Sequence, residues 1–344
     1  MSLKVGIIGT GGIARVHMNG WKKIKDAEVV SICDVDIERA KKFGEEFGID
    51  NIFSDYRELL NMDELDAVDI CTPNVSHYPI VIASLKKGKD VLCEKPLAVT
   101  PEEVVDMIKT SRRYKRKLMC AQNQRFSSEG KSAKRFVDSG ELGEIYYARA
   151  CALRRRWLPA RPSFIRKETA GGGPCLDIGV HILDLTLWIM GNPKPVSVSG
   201  ISLMKLAKRK DITGLWGEWD RKEINVEDFA AGFIKFKNGA SVTLECSWLA
   251  NMRELELFKA TLFGTKGGLE YPNCEYFTEK NKILIDGKFA HLPKLSSHEE
   301  EIKAFYEYVC GKIDCPVPPE QSLDVIRILN GIYRSSEEGK EIKL

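Results

Sequence analysis

The sequence predicts an α/β protein in two parts: an N-terminal doubly wound parallel sheet, then an α+β domain with a large, mainly antiparallel open sheet. Three observations carry this. From Leu3 to Ala121, short apolar runs alternate with amphipathic stretches of helical period, the order that builds a parallel sheet with helices on its faces. Beyond Val196, strand-like runs follow one another without intervening helices, and Asn238-Gly239 is a strong hairpin signal between two of them. The length, 344 residues, suits two domains better than one.

The first run, Leu3 to Ile8, is long enough for one buried strand. It empties into Gly9-Thr10-Gly11-Gly12-Ile13-Ala14, a G-x-G-x-x-A pattern opening a helix. Gly9 permits a tight turn, Gly11 lets a pyrophosphate approach the backbone, and Ala14 lets the helix lie close to the strand. A second strand, Val29 to Cys33, ends at Asp34, about 20 residues past the loop, where an acidic group meets the adenine ribose of a bound dinucleotide. This is the Rossmann pattern, and it implies a nicotinamide dinucleotide. A carboxylate at Asp34 accepts both ribose hydroxyls of NAD and repels a 2′-phosphate, so the expected cofactor is NAD, with Arg39 the first nearby cation.

The rest of the first domain follows in order. A helix is expected from Ile37 to Phe47, a short strand near Ile52-Phe53, and a strand from Asp66 to Cys71 opening into Thr72-Pro73-Asn74. A helix from about His77 to Lys87 and a strand from Asp90 to Cys93 lead to Glu94-Lys95-Pro96. Thr100-Pro101-Glu102-Glu103 carries an N-cap, a first-turn proline and a capping-box glutamate. Lys117 to Ala121 closes the sheet. Ligand is expected off the carboxyl ends of these strands, where the glycine loop, Asp34, Thr72-Pro73-Asn74 and Glu94-Lys95-Pro96 all fall. Gln122 to Phe126 reads as a hinge, which gives a dinucleotide-binding domain over 1–122 and a second domain over 123–344.

The second domain opens with a helix from about Ser128 to Ser139 and a strand from Ile145 to Leu153. The basic, irregular stretch Arg154-Arg155-Arg156-Trp157 to Pro162 reads as the mouth of a substrate site, with Arg154 and Trp157 available to a polyol or sugar acid. Gly171-Gly172-Gly173 follows, a loop that admits a ligand or another chain segment closely. The next segment has helical period, which places Asp177 and His181 four apart on one face, with Asp184 three further on. A carboxylate beside an imidazole orients it and raises its basicity, which suits a general base for an alcohol, and equally describes a satisfied buried pair. Zinc wants more nitrogen or sulfur donors than His181 supplies, so no metal is expected. Strands are expected over Val196–Met204, Asp228–Lys237, Ala240–Leu249, Glu254–Phe263 and Gly267–Leu269, and helices over His298–Cys310 and Ser322–Glu338.

Charge narrows the function classes. The 52 basic and 49 acidic residues leave a net charge of +3, with no basic stripe beyond the three arginines, so nucleic acid and anionic membrane are not expected partners. There is no apolar run of spanning length and no leader-like start, so a cytoplasmic protein is expected. The ten cysteines then read as small buried residues rather than disulfides.

The glycine loop Gly9–Ala14, the strand end Thr72-Pro73-Asn74 with His77, Glu94-Lys95-Pro96, and the Gly171-Gly172-Gly173 to Asp177, Gly179, His181, Asp184 spacing together resemble the glucose–fructose oxidoreductase and inositol dehydrogenase (Gfo/Idh/MocA) family. The resemblance covers nearly the whole chain except Lys205 to Ile224. It implies that Glu94, Lys95 and Pro96 lie beside the nicotinamide ribose, that Lys95 reaches toward the reacting hydroxyl, and that Asp177 and His181 complete the catalytic set. Thr72, Pro73, Asn74 and His77 join the cofactor-binding residues. It further implies an NAD-dependent oxidoreductase acting on a secondary alcohol of a sugar or cyclitol, associating as a dimer or tetramer through the second domain's sheet. Transient oxidation serving glycosidic elimination, or a non-catalytic NAD sensor on the same fold, are the alternatives.

Overall fold

The computed structural model describes residues 2–344. They form two compact units. The first joins the chain up to Phe126 with Leu295–Leu323; the second comprises Ser127–Lys294 and Asp324–Leu344. Residues 295–323 thus pack with the first unit, although they follow nearly all of the second unit in the sequence.

The first unit holds six parallel strands: β1 (Leu3–Ile8), β2 (Ala27–Cys33), β3 (Asn51–Phe53), β4 (Ala67–Ile70), β5 (Asp90–Glu94) and β6 (Leu118–Ala121). Their order is β3-β2-β1-β4-β5-β6. Strand order reverses beside β1, and the crevice outside the carboxyl ends at that point is where such sheets take ligand. Val5, Ile7 and Ile8 of β1 are buried, as a strand covered on both faces requires. The helix Pro101–Tyr114 starts with the expected capping box between Thr100 and Glu103. The helix Ile37–Phe47 is capped by Asp36 and stopped by Gly48 at φ +74°. The helix Ser297–Val309 belongs to this unit: Phe305 meets Trp21 edge-on at 6.1 Å between ring centroids.

The second unit holds a nine-stranded sheet. Its strands are β7 (Ile145–Arg154), β8 (Pro195–Leu203), β9 (Phe229–Phe236), β10 (Ser241–Ser247), β11 (Glu256–Gly264), β12 (Gly267–Tyr271), β13 (Glu275–Lys280), β14 (Ile283–Lys288) and β15 (Ile342–Lys343). The order is β14-β13-β12-β11-β7-β10-β9-β8-β15. Only β7 and β10 run parallel to each other; every other pairing is antiparallel. Asn238-Gly239 makes the β9–β10 hairpin, with Gly239 at φ +88°. One face is covered by the helices Ser128–Asp138 and Val180–Ile189. The other is open, with Ile201 and Phe233 exposed on it.

The segment after the triple glycine departs from the expected α-helical period. Cys175–Gly179 forms a π-helical turn, and the α-helix begins only at Val180. Hydrogen bonds in such a turn span one residue more than in an α-helix, so residues four apart do not stack as they would in a regular helix. Asp177 lies within this turn and His181 beyond it.

Candidate active site

In the first unit, β1 delivers the chain into a turn only glycine can make. Gly9 sits at φ +92°, and a Cβ there would lie 2.7 Å from the Cys71 carbonyl oxygen. Gly11 and Gly12 differ: a Cβ on either would meet nothing within 4 Å. Open space therefore lies in front of the helix Gly12–Trp21, and no side chain caps that helix at Gly11. Bare amides at a helix start attract anionic groups, which is the requirement for a pyrophosphate. Ala14 is buried against the sheet, and Ile13 is half-buried.

Asp34 directly follows β2 and is 6 % exposed. Its Oδ2 accepts the Thr10 amide at 2.8 Å and the Thr10 hydroxyl at 2.9 Å, and its Oδ1 accepts the Asp36 amide at 3.0 Å. Arg39 forks onto both oxygens, with Nε 3.0 Å from Oδ2. Burial opposes the ionised carboxylate, but Arg39 and the amides outweigh burial and hold Asp34 below the ordinary carboxylate value. Asp34 is thus ionised at neutral pH, fixed to the glycine turn and partly neutralised by Arg39.

Thr72, Pro73 and Asn74 follow β4, and Glu94 ends β5 with Lys95 and Pro96 after it, at the same sheet edge. The Lys95–Pro96 bond is cis. His77 links these two segments. It is fully buried, with Nδ1 2.7 Å from the Pro96 carbonyl oxygen and Nε2 2.9 Å from that of Thr72. With both ring nitrogens on backbone carbonyls, His77 ties these two loops together. Burial pushes its value down against those two acceptors.

In the second unit, the triple glycine packs against its own chain. A Cβ on Gly172 would lie 2.2 Å from the Tyr333 hydroxyl, and one on Gly173 would lie 2.2 Å from the Glu227 carbonyl oxygen. The buried Glu227 carboxylate accepts the amides of Gly173 (2.8 Å) and Cys175 (3.0 Å) and the Tyr333 hydroxyl (2.8 Å). Sequence reasoning missed Glu227, because its partners lie 52 to 106 residues away. Asp177, on the π-helical turn, accepts Trp248 Nε1–H at 3.0 Å. His181 is half-buried on the first turn of the following helix, and Asp184 is fully buried.

The arginine run is anchored locally. Arg154 pairs with Glu256 at 2.9 Å, and Arg156 binds Asn251 at 2.7 Å and the Ala250 carbonyl at 3.2 Å. Trp157 stacks on Trp216 with ring planes 4° apart and centroids 5.7 Å apart, and the Arg154 guanidinium sits 4.8 Å from the Trp216 centroid. The segment that carries Trp248 also carries Ala250, whose amide donates to the Arg154 carbonyl at 3.0 Å. The stretch 205–224 thus meets the arginine loop through Trp216, while Trp219 is buried and donates to the Ala207 carbonyl at 2.7 Å.

The doubly wound sheet with its bare glycine turn defines a dinucleotide-binding domain. Residues 3–122 match the oxidoreductase family with an NAD-binding Rossmann fold, and residues 131–270 match the GFO/IDH/MocA C-terminal domain. The chain is 33% identical to D-glucoside 3-dehydrogenase of Escherichia coli, covering 99% of this chain and 97% of that one. It is 27% identical to myo-inositol 2-dehydrogenase of Thermotoga maritima, covering 99% and 98%. An oxidoreductase domain protein from Kribbella flavida superposes with a TM-score of 0.86 at 25% identity, over 99% of both chains. The chain belongs to the Gfo/Idh/MocA family, and it is an NAD-dependent dehydrogenase. No helix among the described residues is long and apolar enough to cross a membrane.

Proposed function

We propose that the protein oxidises a secondary ring hydroxyl of a pyranoside or cyclitol, with Lys95, Asp177 and His181 as its catalytic set. Similarity along nearly the whole chain, at 33% identity, to a D-glucoside 3-dehydrogenase is the observation that carries the substrate class. Bound NAD supplies the hydride acceptor. Gly9, Thr10, Gly11, Gly12, Ile13 and Ala14 form its phosphate turn, and Asp34 meets the adenine ribose. His181 takes the hydroxyl proton, Lys95 stabilises the developing alkoxide, and Asp177 orients the acid–base group or the sugar. Trp157 and Arg154 bind substrate, since a flat indole beside a guanidinium suits a sugar ring with an apolar face and hydroxyl edges. The test is absorbance of reduced nicotinamide with NAD and a panel of glycosides, free sugars and inositols. Net reduction by a glycoside or inositol supports the proposal; product release without net reduction points to elimination, and no turnover across the panel rejects it.

Cofactor choice gives a second test. Asp34→Ser is expected to weaken NAD about tenfold and to narrow the preference over NADP, because the ribose acceptor goes and Arg39 is released toward a 2′-phosphate. Calorimetric titration of both nucleotides measures it; a ratio equal to the parent's rejects the assignment.

The open sheet face carries exposed apolar side chains beside Arg149 and Glu245. We propose that it binds a second copy of the chain. Sedimentation should give a dimer or larger, and Phe233→Glu should shift it to monomer; a monomeric parent rejects this.

A further inference from the structure

Behind the Glu94-Lys95-Pro96 turn lies a buried charged bridge that the chemistry above does not use. His17, on the helix Gly12–Trp21, is 0 % exposed, as is Asp69 on β4. His17 Nδ1 lies 3.0 Å from both Asp69 oxygens, and Nε2 lies 3.1 Å from Glu94 Oε1. Trp21 Nε1–H donates to Asp69 at 2.8 Å. The other Glu94 oxygen accepts the Lys95 amide at 2.9 Å. Hydrogen bonds therefore run unbroken from β4, through the helix that follows the glycine turn, to the backbone of Lys95.

A ring with a carboxylate on each nitrogen satisfies both only when doubly protonated, since neutral imidazole has a single N–H. Every element packed around it supplies a group. Asp69 and Cys71 come from β4 and its end, Glu94 from β5, Trp21 from the same helix, and His298 from the helix Ser297–Val309, its ring 6.1 Å away. Burial pushes the Cys71 thiol up to about 12, so it stays neutral. Burial, the largest single influence, opposes a charged His17, but Asp69 and Cys71 together outweigh it and hold the ring well above its usual value. His298 yields instead, pushed down by burial and by His17.

We propose that His17 is a positioning residue of the dehydrogenase: clamped between Asp69 and Glu94, it fixes the Glu94 carboxylate and, through it, the backbone that carries Lys95. This rests on the reading of Lys95 as the group that meets the reacting hydroxyl. The sign of the pH effect follows. The bridge is complete while the ring holds its second proton and is lost as pH rises through the raised value, so kcat should fall on the alkaline side.

The test begins with the intact protein. Imidazole ¹⁵N shifts should show His17 doubly protonated at neutral pH, and a neutral ring there overturns the proposal. Asp69→Asn then removes the carboxylate that favours the charged ring while leaving Glu94 and Lys95 in place. The His17 titration should move to lower pH and the alkaline limit of kcat should move with it. KM for the fastest substrate of the panel and Kd for NAD should stay within about threefold, the mark of a transition-state effect. A kcat limit that stays put while the ring titration moves leaves His17 a structural group and overturns the proposal. His17→Gln should lower kcat about tenfold or more at unchanged KM, with Asp69→Asn deciding if that variant does not fold. Lys95→Met separates the two readings: full turnover in that variant overturns the Lys95 reading and this proposal with it. Lost turnover in Lys95→Met with an unmoved limit in Asp69→Asn overturns the positioning role alone.

Discussion

His181→Ala is expected to lower alcohol oxidation about 10²–10⁴-fold, the range for loss of a general acid–base group. Only neutral imidazole accepts a proton, so the parent's rate should rise with pH as His181 loses its own, and the variant should lack that limb. Asp177→Asn is the companion. An asparagine keeps an oxygen for Trp248 Nε1–H, so the π-helical turn retains that contact, while the negative charge is gone. A negative charge in the site favours the charged ring, so its loss should move the limb toward lower pH. Single-turnover hydride transfer against pH, in parent and both variants, measures this. A limb that survives unchanged in His181→Ala assigns the base elsewhere, with Lys95 the first suspect.

Lys95→Met is expected to cost on the order of 10²-fold or more in turnover, as removal of one preorganised donor to a developing oxyanion does. NAD affinity should stay within a few-fold, because the glycine turn and Asp34 are untouched by the change. The half-buried lysine follows a buried glutamate and precedes a buried proline, so its backbone is held while its ammonium is the part removed. Calorimetric titration of NAD beside steady-state rates tests both halves. Unchanged turnover with a good substrate makes Lys95 a surface group without chemistry.

The first sheet was readable because buried parallel strands are continuous apolar runs and because local signals mark the helix starts. The Thr100 capping box and the Asp36 cap both stand where residue type alone places them. The hairpin of β9 and β10 announced itself through Asn-Gly. The hairpin of β13 and β14 did not: its turn is Asn281-Lys282, both at positive φ without a glycine, and Ile283 and Leu284 on β14 are exposed. A two-residue strand such as β15 leaves no period to read. The π-helical turn was hidden because it leaves the same apolar residues in the same order as a helix. At the site, a strand end pointed to Asp34 and the family resemblance to Lys95, Asp177 and His181, whereas Glu227, Trp248 and His17 work through partners 52 to 106 residues away. His17 did leave a signal. Ala14, His17, Met18 and Trp21 share one buried helical stripe, and an imidazole on such a stripe needs a polar partner.

The return of residues 295–323 to the first unit orders events on the ribosome. Gly20 lies against Ile302, and Trp21 meets Phe305, so the flank of the nucleotide-binding half is finished by a helix made after β14. Trp21 also donates to Asp69, within the bridge that ends at Lys95. A nascent chain can pair β1 to β6 early, but the outer wall beside that bridge closes only after β14 has been made. The half encoded first is therefore the half completed late, and a polypeptide ended at the hinge would leave that wall open to water.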